Sequence, residues 1–330
     1  MNVVIPAAGE GVRLRPHTHT IPKPLINVAG KPIIGHIIDS IIPLNPEKIC
    51  IVVGHHGIKI EDFVRKNYPD IIDKFLFVHQ EKRQGLGHAI FVSLEHIEKE
   101  EILIILGDTI FDVDYNEIIN ANKNIIAVSE TDEPQRFGIV EIEGEMVKDM
   151  IEKPQNPPSN LAIVGIYYFK NGLKLFNSLR HIIDNNLRTK NEFQLTDAMK
   201  HLLKEEEIYI KRIKGWYDCG KIETLLETNR YLLNKCSRFK SYKNTSIIPP
   251  VYIPDDVEIS NSVIGPYVSC GRKVKIKNAI IKDSIINDGG KVENVLLSNS
   301  IIGTDAVIIE NFKVVNIGDS SIIEPVKKEV

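Results

Sequence analysis

The stretch Asn2-Val3-Val4-Ile5-Pro6-Ala7-Ala8-Gly9-Glu10-Gly11-Val12-Arg13-Leu14-Arg15-Pro16 joins an apolar run to a glycine-rich turn. Residues 2–6 read as a buried strand. A glycine turn after a first strand is a phosphate cradle, because backbone N–H groups can close on oxygens with no Cβ in the way. Two familiar cradles are excluded. A dinucleotide fingerprint needs a third glycine where Leu14 stands, and a Walker A loop needs Gly-Lys-Ser/Thr, which is absent. Instead Arg13 follows the glycines, and Lys23 comes soon after in Ile21-Pro22-Lys23-Pro24-Leu25. Two cations beside a phosphate cradle suit the charge that builds up in phosphoryl or nucleotidyl transfer.

Working outward, apolar runs alternate with amphipathic stretches. The pattern predicts strands at 2–6, 48–53, 75–79, 102–106, 124–129, 138–142 and 162–169. It predicts helices at 33–42, 58–67, 87–97, 195–206 and 222–235. That alternation gives an α/β class, a Rossmann-like mixed, mostly parallel sheet covered on both faces.

After about residue 240 the texture changes. Aliphatics recur every sixth position: Val251, Val257, Val263; then Val268, Val274, Ile280, Ile286, Val292; then Ile302, Ile308, Val314. Gly, Asn, Asp and Ser lie between them, and the register slips from set to set. A six-residue period of this kind predicts hexapeptide repeats in a left-handed β-helix, each coil burying its aliphatics and stacking on the next. An ordinary antiparallel domain with Ile-rich strands is the alternative. The expected domains are 1–240 and 241–330, with a linker around 239–250 marked by Pro249-Pro250.

Composition bounds the function. The chain has 330 residues, 43% hydrophobic and 26% charged, enough for two domains with real cores. A net charge of −3 argues against a general nucleic-acid binder held by counterion release. No apolar stretch approaches the roughly 20 residues that span a bilayer. The first residues show no basic n-region or long apolar h-region, so no secretory signal is expected. Cys50, Cys219, Cys236 and Cys270 are far apart, without a C-x-x-C pair. A cytoplasmic, reduced protein without membrane or nucleic-acid partners is expected.

Six segments in order carry a resemblance. Gly9-x-Gly11-x-Arg13-x-Arg15-Pro16-x-Thr18 with Pro22-Lys23-Pro24-Leu25 and Gly30-Lys31-Pro32-Ile33 resembles the signature of the sugar-1-phosphate nucleotidylyltransferases. Gln84-Gly85-Leu86-Gly87-His88-Ala89 is similar to that family's base-contacting turn, and Leu106-Gly107-Asp108 to its metal-binding Gly-Asp. Arg136-Phe137-Gly138-Ile139-Val140, Glu152-Lys153-Pro154 and Gly215-Trp216-Tyr217-Asp218-Cys219-Gly220 follow in the family's order. The match covers residues 1–235. The tail, with Asn316-Ile317-Gly318-Asp319-Ser320, is similar to that of long-form glucose-1-phosphate thymidylyltransferases.

The resemblance implies that an NTP and a sugar 1-phosphate give an NDP-sugar and pyrophosphate. The implied order of preference is dTTP or UTP with glucose 1-phosphate. It implies that the backbone of Ala8, Gly9 and Gly11 cradles the triphosphate, Arg13 steadies the leaving pyrophosphate and Lys23 neutralises the phosphates. Gln80 and Gly85 would face the base. Gly138, Glu152 and Lys153 would hold the sugar phosphate, and Asp108 with Asp218 would hold Mg²⁺. Taken alone, an isolated Gly-Asp reads as a turn or cap and an adjacent Glu-Lys pair as solvated surface; the order of the segments favours function. His17, His19, His55 and His56 are expected to face solvent or phosphate.

Two departures bear on base and sugar. Pro24 stands where many thymidylyltransferases carry Gln, and Gln194 stands where a second carboxylate is usual. Two alternatives remain: a bifunctional nucleotidyl- and acetyltransferase, and a non-catalytic regulatory subunit. All ten His lie at or before His201, so the coil lacks the His base that hexapeptide acyltransferases generally use. The intact Arg13, Lys23 and aspartates speak against a dead subunit. The coil's end surfaces predict a homo-oligomer.

Overall fold

The computed structural model describes residues 1–311. Val314 and the segment 316–320, both named above, lie outside them.

Four strands run parallel side by side: β1 (Asn2–Pro6), β2 (Ile49–Val53), β3 (Phe75–His79) and β4 (Ile102–Ile105), in the order β3-β2-β1-β4. β2 and β4 are buried at every position. Their unbroken apolar runs follow from burial on both faces. Alternate side chains feed opposite layers. Val3 and Ile5 join Ile34 and Ile38 of α1 (Ile33–Ile41) and Ile60 of α2 (Gly57–Asn67) on one side. Val4 and Cys50 join Ile90 of α3 (Leu86–Leu94), Leu179 of α4 (Gly172–Asp184) and Met199 of α5 (Leu195–Leu202) on the other.

The remaining half of the sheet corrects the expectation of mostly parallel pairing. It holds β6 (Asn124–Glu130), β7 (Gly138–Glu143), β8 (Met146–Glu152), β9 (Leu161–Phe169) and β10 (Ile208–Arg212), β5 being a short strand introduced below. β9 runs antiparallel to both β4 and β6, and β8 antiparallel to β7 and β10. All nine residues of β9 are buried. Its register shifts between Ile163 and Tyr167, around Gly165 at φ 105. A Cβ there would meet the Leu106 side chain at 2.6 Å, so the bulge needs glycine. β8 and β10 were not anticipated: β8 is interrupted by Lys148 and Asp149, which hide its alternation.

Helix α5 ends at Leu202, four residues before the expected stop. The charged run beyond it turns back, and Glu206 pairs with Lys174 and accepts from Asn124. α6 (Ile222–Lys235) closes this unit where expected.

From Ser246 to Ile309 the chain forms three four-stranded parallel sheets. Successive turns stack Ser246 on Val263, Val263 on Ile280 and Ile280 on Leu296, steps of 17, 17 and 16 residues. Three full hexapeptides would give 18, so each turn is one or two residues short, and this produces the slipped register. It also corrects two predicted inward positions: Val263, where Ile264 is the buried residue, and Ile280 stacked on it. Ile280 is 50% exposed, and its neighbour Ile281 is buried in its place, because a one-residue slip reverses a strand's faces. Val251, Val257, Val268, Val274, Ile286, Val292 and Ile302 do point inward.

Corners of the coil use asparagines at positive φ, and these stack as a ladder. The Asn244, Asn261 and Asn278 amides donate to Asn261, Asn278 and Asn294 at 3.2, 3.2 and 3.0 Å. α6 fastens the coil to the sheet unit. Asn229 accepts from Ala29 N at 2.8 Å and donates to Tyr267 O at 3.3 Å. Arg230 forks onto Asp283, with Nε to Oδ1 at 2.6 Å. The Tyr252 ring occupies the space where a Cβ on Gly30 would sit.

Candidate active site

The glycine turn leaves β1 at the carboxyl ends of the parallel strands, where α/β sheets place ligands. Gly11 has φ 63, and Thr18 donates to its carbonyl at 2.8 Å. A Cβ on Gly11 would meet Thr18 Cγ2 at 2.9 Å, whereas nothing lies within 4 Å of one on Gly9. Gly11 therefore shapes the turn, and Gly9 leaves its backbone open to the cleft.

Two carboxylates meet beside this turn. Asp108 follows β4. Asp218 ends a strand, β11 (Gly215–Asp218), that pairs antiparallel with β5 (Thr109–Asp112) and puts Asp218 opposite Thr109. This small two-stranded sheet converts a separation of over a hundred residues into adjacency. Lys23 enters between them: Nζ lies 2.6 Å from Asp108 Oδ2 and 3.9 Å from Asp218 Oδ1, with the lysine side chain only 7% exposed.

The two acids titrate apart. Burial pushes the Asp108 carboxyl up, but the Lys23 charge and hydrogen bond outweigh it, and the net shift is downward. Burial pushes Asp218 up, and the Asp108 charge adds to this against Lys23, so its net shift is upward. Arg13 sits next to this pair. A Cβ on Gly220 would lie 2.8 Å from Asp218 Oδ2 and 3.0 Å from an Arg13 guanidinium nitrogen.

The cleft has two lobes that share Asp108, Leu86, Leu106 and Glu192 in their walls. The larger, about 510 Å³, is lined by Ala8, Gly9, Lys23, Gln80 and Gly85. The smaller, about 290 Å³, is lined by Arg13, Gly138, Glu152, Lys153 and Asp218. Arg13 thus stands on the small-lobe side rather than beside Gly9.

In the small lobe Glu152 Oε2 accepts from Thr196 at 2.7 Å, and Lys153 Nζ lies 3.2 Å from Glu152 Oε1. A Cβ on Gly138 would be 3.1 Å from both Glu152 Oε2 and Thr196 Oγ1, so a larger residue would crowd that carboxylate. In the large lobe Gln80 is buried and donates to Gly85 O at 3.2 Å. Gly85 has φ 102, and a Cβ there would strike Phe193 O at 2.6 Å.

Sequence reasoning did not assign Thr196, Tyr167 or the Phe137–Trp216 edge contact at 5.0 Å, all on the small lobe. Thr196 lies two residues beyond Gln194, the departure that the sequence did single out. Tyr167 sits on an all-apolar strand and gave no signal. His19, His55 and His56 line an adjoining pocket of about 200 Å³ that shares Ala8, Gly9 and Glu10 with the large lobe.

A divalent cation fits this donor set in part. Two carboxylate oxygens facing a phosphate cradle are what Mg²⁺ takes from protein when substrate phosphates complete its shell. Among the described residues no group of three or more His, Cys, Asp or Glu is placed to hold a metal alone. None of their helices is long and apolar enough to cross a membrane.

A parallel-strand crevice, an open glycine turn, buried Lys23 and two acids at the junction of two lobes define an α/β protein with a two-lobed cleft at the carboxyl ends of its strands. The chain belongs to the nucleotidyl transferase family, whose model matches residues 2–235. It is 38% identical over 237 residues to the bifunctional protein GlmU of Methanocaldococcus jannaschii, covering 71% of this chain and 55% of that protein. The chain spans about half the length of that relative. It is 28% identical over 336 residues to the low-salt glycan biosynthesis nucleotidyltransferase Agl11 of Haloferax volcanii, covering 90% of this chain and 92% of Agl11. A crystal structure of UDP-glucose pyrophosphorylase complexed with UDP-glucose superposes with a TM-score of 0.61 at 29% identity, over 71% of this chain and 99% of that one.

Proposed function

We propose that this chain joins an NTP to a sugar 1-phosphate, releasing pyrophosphate, with UTP or dTTP and glucose 1-phosphate as the preferred pair. The observation that carries the reading is the placement of Lys23 between Asp108 and Asp218 at the junction of the two lobes. The large lobe takes the nucleotide and the small lobe the sugar phosphate, so the α-phosphorus comes to rest at the junction. The likeness to a UDP-glucose pyrophosphorylase supports the substrate pair.

A sugar phosphate oxygen attacks the α-phosphorus in line, and the bond to the β-phosphate oxygen breaks. The attacking phosphate has a second pKa near 6, so it arrives deprotonated and needs no general base. The protein's work is to orient two anions and offset their repulsion. Lys23 neutralises the α-phosphate and the entering phosphate, and Arg13, which lines the small lobe, meets the entering sugar phosphate rather than the pyrophosphate. The backbone of Ala8, Gly9 and Gly11 cradles the triphosphate, while Gln80 and Gly85 meet the base. Glu152 accepts from sugar hydroxyls, Gly138 admits the ring, and Lys153 holds the sugar phosphate. Asp108 and Asp218 would hold Mg²⁺, which when bound withdraws charge from the reacting phosphates.

Residues 1–240 carry this chemistry, and the coil of residues 246–309, read as left-handed, serves assembly into a homo-oligomer. Ile280 and Leu296, paired neighbours on one coil sheet, are 50% and 75% exposed, which supports that use. The GlmU likeness keeps acetyl transfer by the coil as a second reading, against which stands the coil's lack of His. The enzyme works in the cytoplasm, without nucleic-acid or membrane partners. Pyrophosphate release from UTP, dTTP, GTP and ATP against several sugar 1-phosphates with Mg²⁺ tests the assignment. No release from any pair would overturn it.

A further inference from the structure

Three cavities follow one another along the cleft. The large lobe shares lining residues with the small lobe on one side. On the other it shares Ala7, Ala8, Gly9, Glu10 and Arg83 with the adjoining pocket of about 200 Å³. The small lobe and that pocket share none. The pocket therefore opens off the large lobe, away from the place given to the sugar phosphate.

In-line transfer sets the attacking and leaving oxygens on opposite sides of the phosphorus. With attack from the small-lobe side, the bond to the β-phosphate oxygen breaks and that oxygen keeps the electron pair. Pyrophosphate then departs toward the pocket. Arg13 stands in the small lobe and Lys23 at the junction, so the cations left to meet the departing group are those of the pocket.

Arg15 and Arg83 line this pocket from two segments, the glycine turn and the loop before α3, and His19, His55 and His56 stand with them. The wall is closely built. A Cβ on Gly54 would meet Ala8 O at 2.9 Å, and Lys59 Nζ donates to Thr20 O at 2.5 Å.

One anion of the chain's own is already there. Glu10 pairs through Oε1 with Arg83, and its Oε2 lies 3.6 Å from Arg15. Each carboxylate oxygen thus faces one guanidinium, as the oxygens of a phosphate group would. The three side chains are between 41% and 48% exposed, so water screens both pairs and they are weak. A diphosphate brings more charge and more acceptor oxygens than a carboxylate, and competes well for both arginines. Glu10 fills the free position of Gly9-x-Gly11, and Arg83 stands outside every segment of the sequence resemblance.

We propose that Glu10 is a resident competitor for pyrophosphate. It holds Arg15 and Arg83 when no nucleotide is bound, yields them to the β- and γ-phosphates, and takes them back as pyrophosphate leaves. The arginines that stabilise the leaving group would otherwise retain it, and Glu10 weakens that hold. The anion site stands on the pocket itself; its part in turnover rests on the nucleotidyl-transfer reading above.

Calorimetric titration of inorganic pyrophosphate into the full-length protein, without nucleotide, sugar or metal, tests the site. The wild type is expected to bind. Arg15→Ala and Arg83→Ala are each expected to weaken binding about tenfold, the scale of one charge-assisted hydrogen bond. Glu10→Gln removes the competitor and is expected to tighten binding about threefold, the scale of an exposed ion pair. Combined with Arg83→Ala, that gain is expected to shrink, because one of the two contested cations is gone. A gain of full size in the double variant would show Glu10 acting through overall charge and overturns the competitor. No binding by the wild type, or unchanged affinity in both arginine variants at unchanged melting temperature, overturns the site. Initial rates read its part in turnover. Pyrophosphate is expected to inhibit Glu10→Gln at about threefold lower concentration than the wild type, and equal inhibition overturns the role in release. A wild type that binds pyrophosphate yet transfers no nucleotide overturns the functional reading instead, and the anion site stands.

Discussion

Lys23 Nζ stands 2.6 Å from Asp108 Oδ2, a contact closed across 85 residues of chain. The same ammonium is 3.9 Å from Asp218, so one cation holds two acids that would otherwise repel. In the proposed reaction an arriving phosphate would compete for that cation, and a divalent ion would take its place between the acids.

If these acids hold Mg²⁺, Asp108→Asn and Asp218→Asn each lower turnover by about two or more orders of magnitude, because charge stabilisation in the transition state is lost. Pyrophosphate release at saturating Mg²⁺, with circular dichroism as a fold control, checks this. Near-wild-type turnover in both variants would remove the metal assignment.

Arg13 lies on the small-lobe side next to Asp218. Arg13→Ala is expected to lower kcat at least as much as it raises the KM for the sugar 1-phosphate, since the repulsion it offsets between the two phosphates grows as they close on each other in the transition state. A variant altered only in KM would make Arg13 a ground-state binding residue.

The two turn glycines separate cleanly. Gly11→Ala forces a side chain into positive φ against Thr18 and costs about 1–3 kcal/mol of stability. Gly9→Ala meets nothing within 4 Å and leaves the melting temperature near wild type while weakening NTP binding. Thermal melts and nucleotide titrations read both; equal destabilisation by the two would refute the division.

His36 gives a pH signature. Its Nε2 lies 2.9 Å from Val28 O, and burial holds its pKa below the ordinary value despite that carbonyl. Below about pH 6.5 the unfolded chain takes up a proton that the folded one resists, so stability falls as pH drops through that range. His36→Gln should flatten the slope of unfolding free energy between about pH 7 and pH 5. An identical slope would show that other groups dominate.

A chain ending at Lys240 loses Tyr252, Tyr267 and Asp283, which meet Gly30, Asn229 and Arg230. It should melt earlier and change its assembly state, yet retain measurable transfer. Light scattering and a pyrophosphate assay decide. A folded, inactive truncation would mean that the coil completes the site.

From the sequence alone came the strands with unbroken apolar runs, the turn glycines and the family, because those signals are local: period, residue type and order. α6 and β1 matched to the residue. The coil was legible as a near-six-residue period, but its length of 16 or 17 residues per turn was not, because which face of a strand of two or three residues points inward is settled by stacking, as Ile280 and Ile281 show. Antiparallel β9 also escaped the sequence, since a buried strand reads the same in either direction. The meeting of Asp108, Asp218 and Lys23 depends on the β5–β11 pair, and the joining of the Gln84–Gly87 turn to Phe193 on backbone bonds across more than a hundred residues. Such contacts arise between segments far apart in the chain, and only the packed tertiary structure fixes their distance and the direction of their hydrogen bonds.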